Sequence, residues 1–344
     1  MEISQLVDFL KNYDGKPIRL MEVCGSHTHA IVKHGIRDLL SPKIELLSGP
    51  GCPVCVTPTA YIDKLIELSL EENTTVATFG DLLRVPGSKE SLNEAKGRGA
   101  SVEMVYSPMD ILGLASENPD KKYVFAAVGF ETTAPVYTLL LDQVQAMNLQ
   151  NVRILTALKT MPNAISYLMD NGANIDGFIA PGHVSAVTGA SYFDALAKKY
   201  QIPFAVCGFG AKELVIGIYG LVNMVINNDF SVKNYYTSVV DAGQNDTIVS
   251  QFSKYYDKAD VVWRGMGCVE GSGLVLKDEY KKFDAGSIGL DEDNKRNKAC
   301  MCGQILMGRA KPTDCPLFGK VCTPMHPEGA CMVSEEGSCF NAYR

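Results

Sequence analysis

No block of lysine and arginine, no apolar stretch as long as a membrane span and no nucleotide-binding signature occurs in this chain of 344 residues. Each absence closes a class of function. With 32 Lys and Arg against 39 Asp and Glu the net charge is −7, so neither nucleic acid nor an anionic membrane meets a basic face. No window approaches the ~18 uninterrupted apolar residues of a spanning helix. The opening MEISQLVDFLKNYDGKP patterns as an amphipathic helix and lacks the cationic start, apolar core and cleavage site of a signal peptide. A cytoplasmic protein is the expectation. Neither a GxxxxGKS/T loop nor a GxGxxG that opens a helix after a strand is present, so standard nucleotide sites have no support.

What is present in excess is cysteine. There are eleven, in a chain whose 46% hydrophobic and 21% charged residues are otherwise ordinary for a soluble protein. A reducing cytosol keeps ordinary thiols from pairing, and an odd total argues against a purely structural disulfide framework. Metal binding and redox chemistry remain. Cys24, Cys52 and Cys55 lie near the front, Cys207 and Cys268 stand alone, and six crowd between residues 300 and 339.

Apolar, β-branched runs alternate with helical patterns from about residue 18 to about 265. They are IRLMEVC (18–24), IELLSG (44–49), TTVATFG (74–80), SVEMVY (101–106), YVFAAVGF (123–130), VRILTAL (152–158), IDGFIA (175–180) and FAVCGF (204–209). Such alternation predicts an α/β fold of parallel sheets covered on both faces. Domain-size priors favour two Rossmann-like units facing a central cleft, dividing near residue 120, with a Cys-rich C-terminal domain beyond them. The expected boundaries are 16–119, 120–245, and 246–344 joined by the N-terminal helix 1–15.

Ligands of such sheets sit just past the carboxyl ends of the strands. The unusual polar sequences fall there: CGSHTH after the first run, GPGCPVC after the second, GDLLRVPGS after the third, GFETTAP after the fifth and APGHVS after the seventh. Cys52 and Cys55 are framed by glycines and prolines. Cys24 ends a strand beside His27 and His29. Three cysteines and a histidine at one sheet edge suit a soft or borderline metal ion, and a redox pair uses the same Cys-x-x-Cys spacing. The residues alone leave both open. His183 and Glu131 are polar groups at strand ends, ordinarily a structural hydrogen-bonder and a first-turn carboxylate, raised in interest by their position. Asp81 and Arg84 pattern as a surface ion pair, with anion clamping as the alternative. Cys207 is expected to be packing; Cys268 has no assignment.

The tail after residue 265 is rich in Cys, Gly and Pro and poor in long apolar runs, so it calls for metal or disulfides in place of a core. Two close Cys-x2-4-Cys pairs, the usual sign of structural zinc, are absent, and the wider gaps favour four iron-sulfur ligands from separate turns. A zinc knuckle is the plainer alternative. Spacing does not select four thiols from six.

Six of these segments, EVCGSHTHAI, GPGCPVCVTP, FGDLLRVPGS, VGFETTAP, PGHVS and the tail CMCGQILMG...DCPLFGKVCTP...GACMVSEEGSC, together resemble the HypD family of [NiFe]-hydrogenase maturation proteins. The similarity runs from about residue 18 to the C-terminus. It implies a scaffold, rather than a conventional enzyme, on which an iron carrying two cyanides and one carbon monoxide is assembled together with HypC. Cyanide would come from HypE, charged by HypF, and the unit would pass to the hydrogenase large subunit. The family's cluster pattern falls on Cys300, Cys315, Cys322 and Cys339 as ligands of a [4Fe-4S] cluster, leaving Cys302 and Cys331 as a pair that resembles the redox disulfide of ferredoxin:thioredoxin reductase. The resemblance makes Cys24 the thiol that holds iron, with His27 beside it and Cys52 and Cys55 as metal ligands and redox pair. Glu131 and His183 would close the cleft. The alternative function is an iron-sulfur-dependent reductase of a partner's disulfide.

Overall fold

Eight apolar runs become eight strands because each is short, β-rich and bounded by turn residues. The computed structural model describes residues 2–344, without the side chain of Val249. The strands are β1 (Ile18–Glu22), β2 (Ile44–Ser48), β3 (Thr74–Thr78), β4 (Val102–Met104), β5 (Lys122–Gly129), β6 (Val152–Lys159), β7 (Gly177–Ala180) and β8 (Phe204–Val206). Three further strands follow: β9 (Val232–Asn234) and the pair β10 (Tyr256–Trp263) and β11 (Gly267–Leu276). Helices intervene between most of the parallel strands, and β5 is buried continuously from Tyr123 to Gly129, as a strand covered on both faces must be.

The strands form two sheets, ordered β2-β1-β7-β8-β9 and β10-β11-β6-β5-β3-β4. The first is wholly parallel, with Ile18 opposite Ile44, Leu20 opposite Gly177 and Phe178 opposite Phe204. The second is parallel from β4 to β6 and ends in the antiparallel β10–β11 hairpin. The expected division near residue 120 is not how the strands pair. The chain builds two strands of the first sheet, leaves for four strands of the second, then returns for β7, β8 and β9. Parallel strands need only a crossover connection, so sequence neighbours are free to join different sheets.

Two further expectations change. The N-terminal helix Ile3–Lys11 packs on the first sheet's helix Ala211–Ile226 rather than with the tail: Leu6 and Leu10 share a core with Leu214 and Ile218, and Phe9 meets Tyr219 edge-on at 5.1 Å. The hairpin β10–β11 lies within 246–344, yet it belongs to the second sheet. The tail itself does not stand apart. Its Cys300, Cys302, Ile305, Leu306, Cys331 and Met332 enter the same buried cluster as Met21, Val23, Phe130 and Trp263.

Candidate functional site

Cys24 follows β1 and caps the helix Gly25–Lys33, with extended backbone (φ −146°, ψ 117°) and its carbonyl accepting from the N–H groups of His27 and Thr28 at 2.8 and 3.1 Å. The neighbouring GPGC turn is pinned to it: Gly25 N donates to Gly51 O at 2.9 Å, and a Cβ on Gly51 would stand 2.2 Å from Cys24 N. Only glycine lets the two loops meet. Beneath them Glu22 is fully buried, its Oε2 accepting from Cys24 N at 3.0 Å and its Oε1 from the Thr28 hydroxyl at 2.5 Å. Burial pushes the Glu22 carboxyl up to about 8. Burial likewise pushes the Cys24 thiol up to about 12, with the charge of Glu336 adding and the His27 and Ser26 N–H groups opposing.

His27, also fully buried, donates from Nε2 toward the carbonyls of Cys207 and Gly208 at 3.1 and 3.2 Å. Carbonyls only accept, so the proton sits on Nε2 and the Nδ1 lone pair is free; Nδ1 is buried without a partner. Burial lowers the His27 pKa to about 4. Phe209 stacks against both His27 and His183, with centroids 4.6 and 4.2 Å apart. His183 Nδ1 lies 3.3 Å from Ser26 Oγ, which donates to Glu336 Oε1 at 2.6 Å. Thus the tail reaches over the Cys24 loop, and a pocket of about 440 Å³ opens beside it between Ser26, His29, His183, Phe209 and Glu336.

The second thiol group begins at the Cys-x-x-Cys turn. Cys55 Sγ lies 2.7 Å from Cys52 Sγ, and both are free thiols. Cys55 also reaches toward Ala330 O at 3.8 Å and toward Cys331, and burial raises its pKa first of all. Cys331 is within hydrogen-bonding reach of Cys302, Cys339 and Cys55, and accepting from these thiols holds it below an ordinary thiol. Cys302 in turn lies 3.3 Å from Cys300. Cys331 thus lies between the Cys52–Cys55 pair and the tail thiols Cys302, Cys300 and Cys339.

All six tail thiols are buried. A Cβ on Gly329 would stand 2.5 Å from Cys302 Sγ and 2.7 Å from Cys300 Sγ, a cradle that any side chain would fill. Cys322 Sγ accepts from Glu328 N at 3.4 Å, and Cys315 faces Ala299 O at 4.0 Å. The sulfurs stand as hydrogen-bonded thiols, and among the described residues no three His, Cys, Asp or Glu side chains are already set around a metal position. As a donor set, however, buried thiols around a side-chain-free cradle fit an iron-sulfur cluster, which takes cysteine ligands almost alone.

The remaining expectations fall outside these two groups. Glu131 is buried at the end of β5 and accepts at Oε1 from Met161 N (2.8 Å) and Tyr192 OH (3.1 Å), which ties the loops of one sheet to the other. Burial raises it to about 7, and Oε2 has no partner. Arg84 donates to Pro324 O and Val333 O, so it fastens the tail, with Asp81 4.0 Å away. Cys207 is buried packing, and Cys268 is exposed on β11. Sequence reasoning missed Glu22, Ser26, Phe209 and Glu336. Only Glu22 carried a signal, a carboxylate inside the apolar run IRLMEVC.

Two sheets whose loops, with a cysteine-rich tail, bury one thiol among nitrogen and oxygen groups and several more in mutual contact define a thiol-bearing α/β protein suited to metal and redox chemistry. A family model described as "Hydrogenase formation hypA family", named HypD, matches residues 2–344. The chain belongs to the HypD family of hydrogenase maturation factors. It is 40% identical over 354 residues to the hydrogenase maturation factor HypD of Escherichia coli, covering 100% of this chain and 95% of that one. Identity to HypD of Rhodobacter capsulatus is 39% over 346 residues, 98% of this chain and 92% of the relative. A putative hydrogenase expression/formation protein of Methanocaldococcus jannaschii is 41% identical over 334 residues, 95% and 92% of the two chains. No helix among the described residues is long and apolar enough to cross a membrane.

Proposed function

We propose that this maturation factor is the scaffold on which iron receives two cyanides and one carbon monoxide, held on Cys24 in a complex with HypC, with HypE as cyanide donor and the hydrogenase large subunit as destination. The iron unit is cargo. The observation that carries the reading is the setting of Cys24: a sulfur at a helix N-terminus, with the free Nδ1 of a buried neutral histidine in the first turn. Helix N–H groups oppose the burial that raises the Cys24 thiol, and His27 Nδ1, whose lone pair burial keeps unprotonated, is a second donor to the metal. Phe209 and the tail's Glu336 narrow the approach to this corner.

The second part of the proposal is a thiol exchange along the chain of sulfur contacts. Cys331 as thiolate attacks Sγ of Cys55 in a Cys52–Cys55 disulfide, forming Cys331–Cys55 and releasing the Cys52 thiolate. Cys302 then attacks Cys331, forming Cys302–Cys331 and releasing the Cys55 thiolate, so two electrons pass to the loop pair and the tail pair is oxidised. Cys300, Cys315, Cys322 and Cys339 would hold the [4Fe-4S] cluster, which when bound supplies one-electron transfer. Cys52 and Cys55 are 2% and 0% exposed, so a partner's disulfide has no access to them, which disfavours the reductase alternative.

The test is infrared spectroscopy of the anaerobically purified complex with HypC. Wild type shows cyanide and carbon monoxide bands; Cys24→Ala lacks them and keeps its cluster absorbance. A full diatomic spectrum in Cys24→Ala places the iron elsewhere.

A further inference from the structure

Arg264 sits in the turn between β10 and β11. It is 3% exposed. Its backbone N donates to Val56 O at 2.8 Å, directly after the Cys52–Cys55 turn, and its Nη2 donates to Pro86 O at 2.8 Å. The following Gly265 packs backbone against backbone on the tail: its Cβ position lies 2.5 Å from Gly303 Cα, next to Cys302. The turn is thus wedged between the two thiol groups. Nη1 of Arg264 is buried with no hydrogen-bond partner, and among the described residues the guanidinium has no ion pair. Its charge reaches Cys300.

A guanidinium stays charged, and a buried charge without a counter-charge costs several kcal/mol. A fold that keeps one has an anion for it. The nearby cation Lys295 is turned to Cys300 O at 3.3 Å and brings no negative charge. The Asp293 carboxylate beside the turn is engaged by the N–H groups of Gly265 and Thr59, at 2.6 and 3.3 Å, and does not pair with the guanidinium; the tail thiols become anionic when they bind metal.

We propose that Arg264 is the positioning cation of the tail centre, its Nη1 donating to the metal-bound sulfur on the Cys300 side and raising the reduction potential of the cluster held there. The inference rests on the reading that Cys300, Cys315, Cys322 and Cys339 hold a [4Fe-4S] cluster. Positive charge and hydrogen bonds at cluster sulfurs stabilise the reduced, more negative state.

The experiment is a mediated redox titration of the anaerobic full-length chain, followed by electron paramagnetic resonance, with iron and sulfide measured on each sample. Arg264→Gln keeps its iron and sulfide, and at the wild-type midpoint its reduced-to-oxidised ratio falls about tenfold, a shift of about 59 mV for a one-electron couple. Arg264→Lys, which keeps the charge on a different head, falls between the two. Arg98→Gln, a surface arginine paired with Glu90, controls for net charge and leaves the midpoint in place. If Arg264→Gln does not accumulate, the smaller downshift in Arg264→Lys is the test. A variant that holds the cluster at the wild-type midpoint overturns the role of Arg264 alone. A wild-type chain without iron and sulfide overturns the cluster and the inference together.

Discussion

Cys24 and Cys55 are both buried thiols on loops at the same end of adjacent strands, and their surroundings differ in kind. Around Cys24 the neighbours are oxygen and nitrogen: Glu22, the His27 and Ser26 N–H groups and the carboxylate of Glu336. Around Cys55 they are sulfur: Cys52 at 2.7 Å and Cys331 from the tail. In the function proposed above, Cys24 is the lone metal-binding thiol, its helix N–H groups opposing the burial that raises its pKa. A thiol whose nearest neighbours are thiols is set up to exchange disulfides. On the proposed function one sheet edge carries two chemistries, and the tail reaches both thiol settings, through Glu336 to the first and Cys331 to the second.

The sharpest break of that comparison is in the tail. Cys300→Ala, Cys315→Ala, Cys322→Ala and Cys339→Ala should each lose nearly all iron, sulfide and visible absorbance, because three thiolates hold a cluster poorly. Cys302→Ala and Cys331→Ala should keep them. The sheets should stay folded throughout by circular dichroism, since Ile305, Leu306 and Met332 anchor the tail in a shared core. Loss of the cluster in the second pair, with retention in the first four, would exchange the two sets of roles.

A smaller effect separates the thiol groups without touching the cluster. Cys331→Ser should leave Cys52 and Cys55 able to oxidise but cut off from the tail pair. After oxidation and brief anaerobic treatment with a low-potential reductant, the wild-type Cys52–Cys55 peptide should take up two alkyl labels, and that of Cys331→Ser about tenfold less over the same interval. Equal labelling would mean that the reductant reaches the loop directly.

How much of this was legible in the sequence follows from range. The eight strand runs are local patterns, and each became a strand. The hairpin β10–β11 was not read, because its alternation is interrupted by an irregularity between Ala259 and Val261 and mixes polar with apolar residues. The division into sheets was misjudged because partner choice between parallel strands is not a local property. In the site, the loop carrying Cys52 announced itself by its Gly-Pro framing, and that carrying Cys24 by its place after a strand beside His27 and His29. Ser26, Phe209, Arg264 and Glu336 did not, since their roles arise from contacts as far as 310 positions apart, that between Ser26 and Glu336.

The smallest expected effect tests the oxygen side of the comparison. Glu22 is fully buried, and its pKa rises from 4.5 to about 8 on folding, mainly through burial. A carboxyl whose pKa is raised in the fold contributes stability that is fully present below the unfolded value and is lost as pH climbs through the folded one. That window runs from about 4.5 to about 8. Glu22→Gln keeps an acceptor for Cys24 N and Thr28 and removes the titration. Its melting temperature relative to wild type should therefore rise across the window, by at least about 2 °C, the shift that ~1 kcal/mol produces in a protein of this size. His27 titrates in the opposite sense: its pKa is lowered to about 4, so protonation destabilises the fold as pH falls below about 6.5. The two are separated by measuring above pH 7, where His27 is neutral in both states. A difference between Glu22→Gln and wild type that stays flat from pH 5 to pH 9 would mean that Glu22 is ionised in the fold, and the buried acceptor beside Cys24 would then be a carboxylate, available from the start to take the thiol proton.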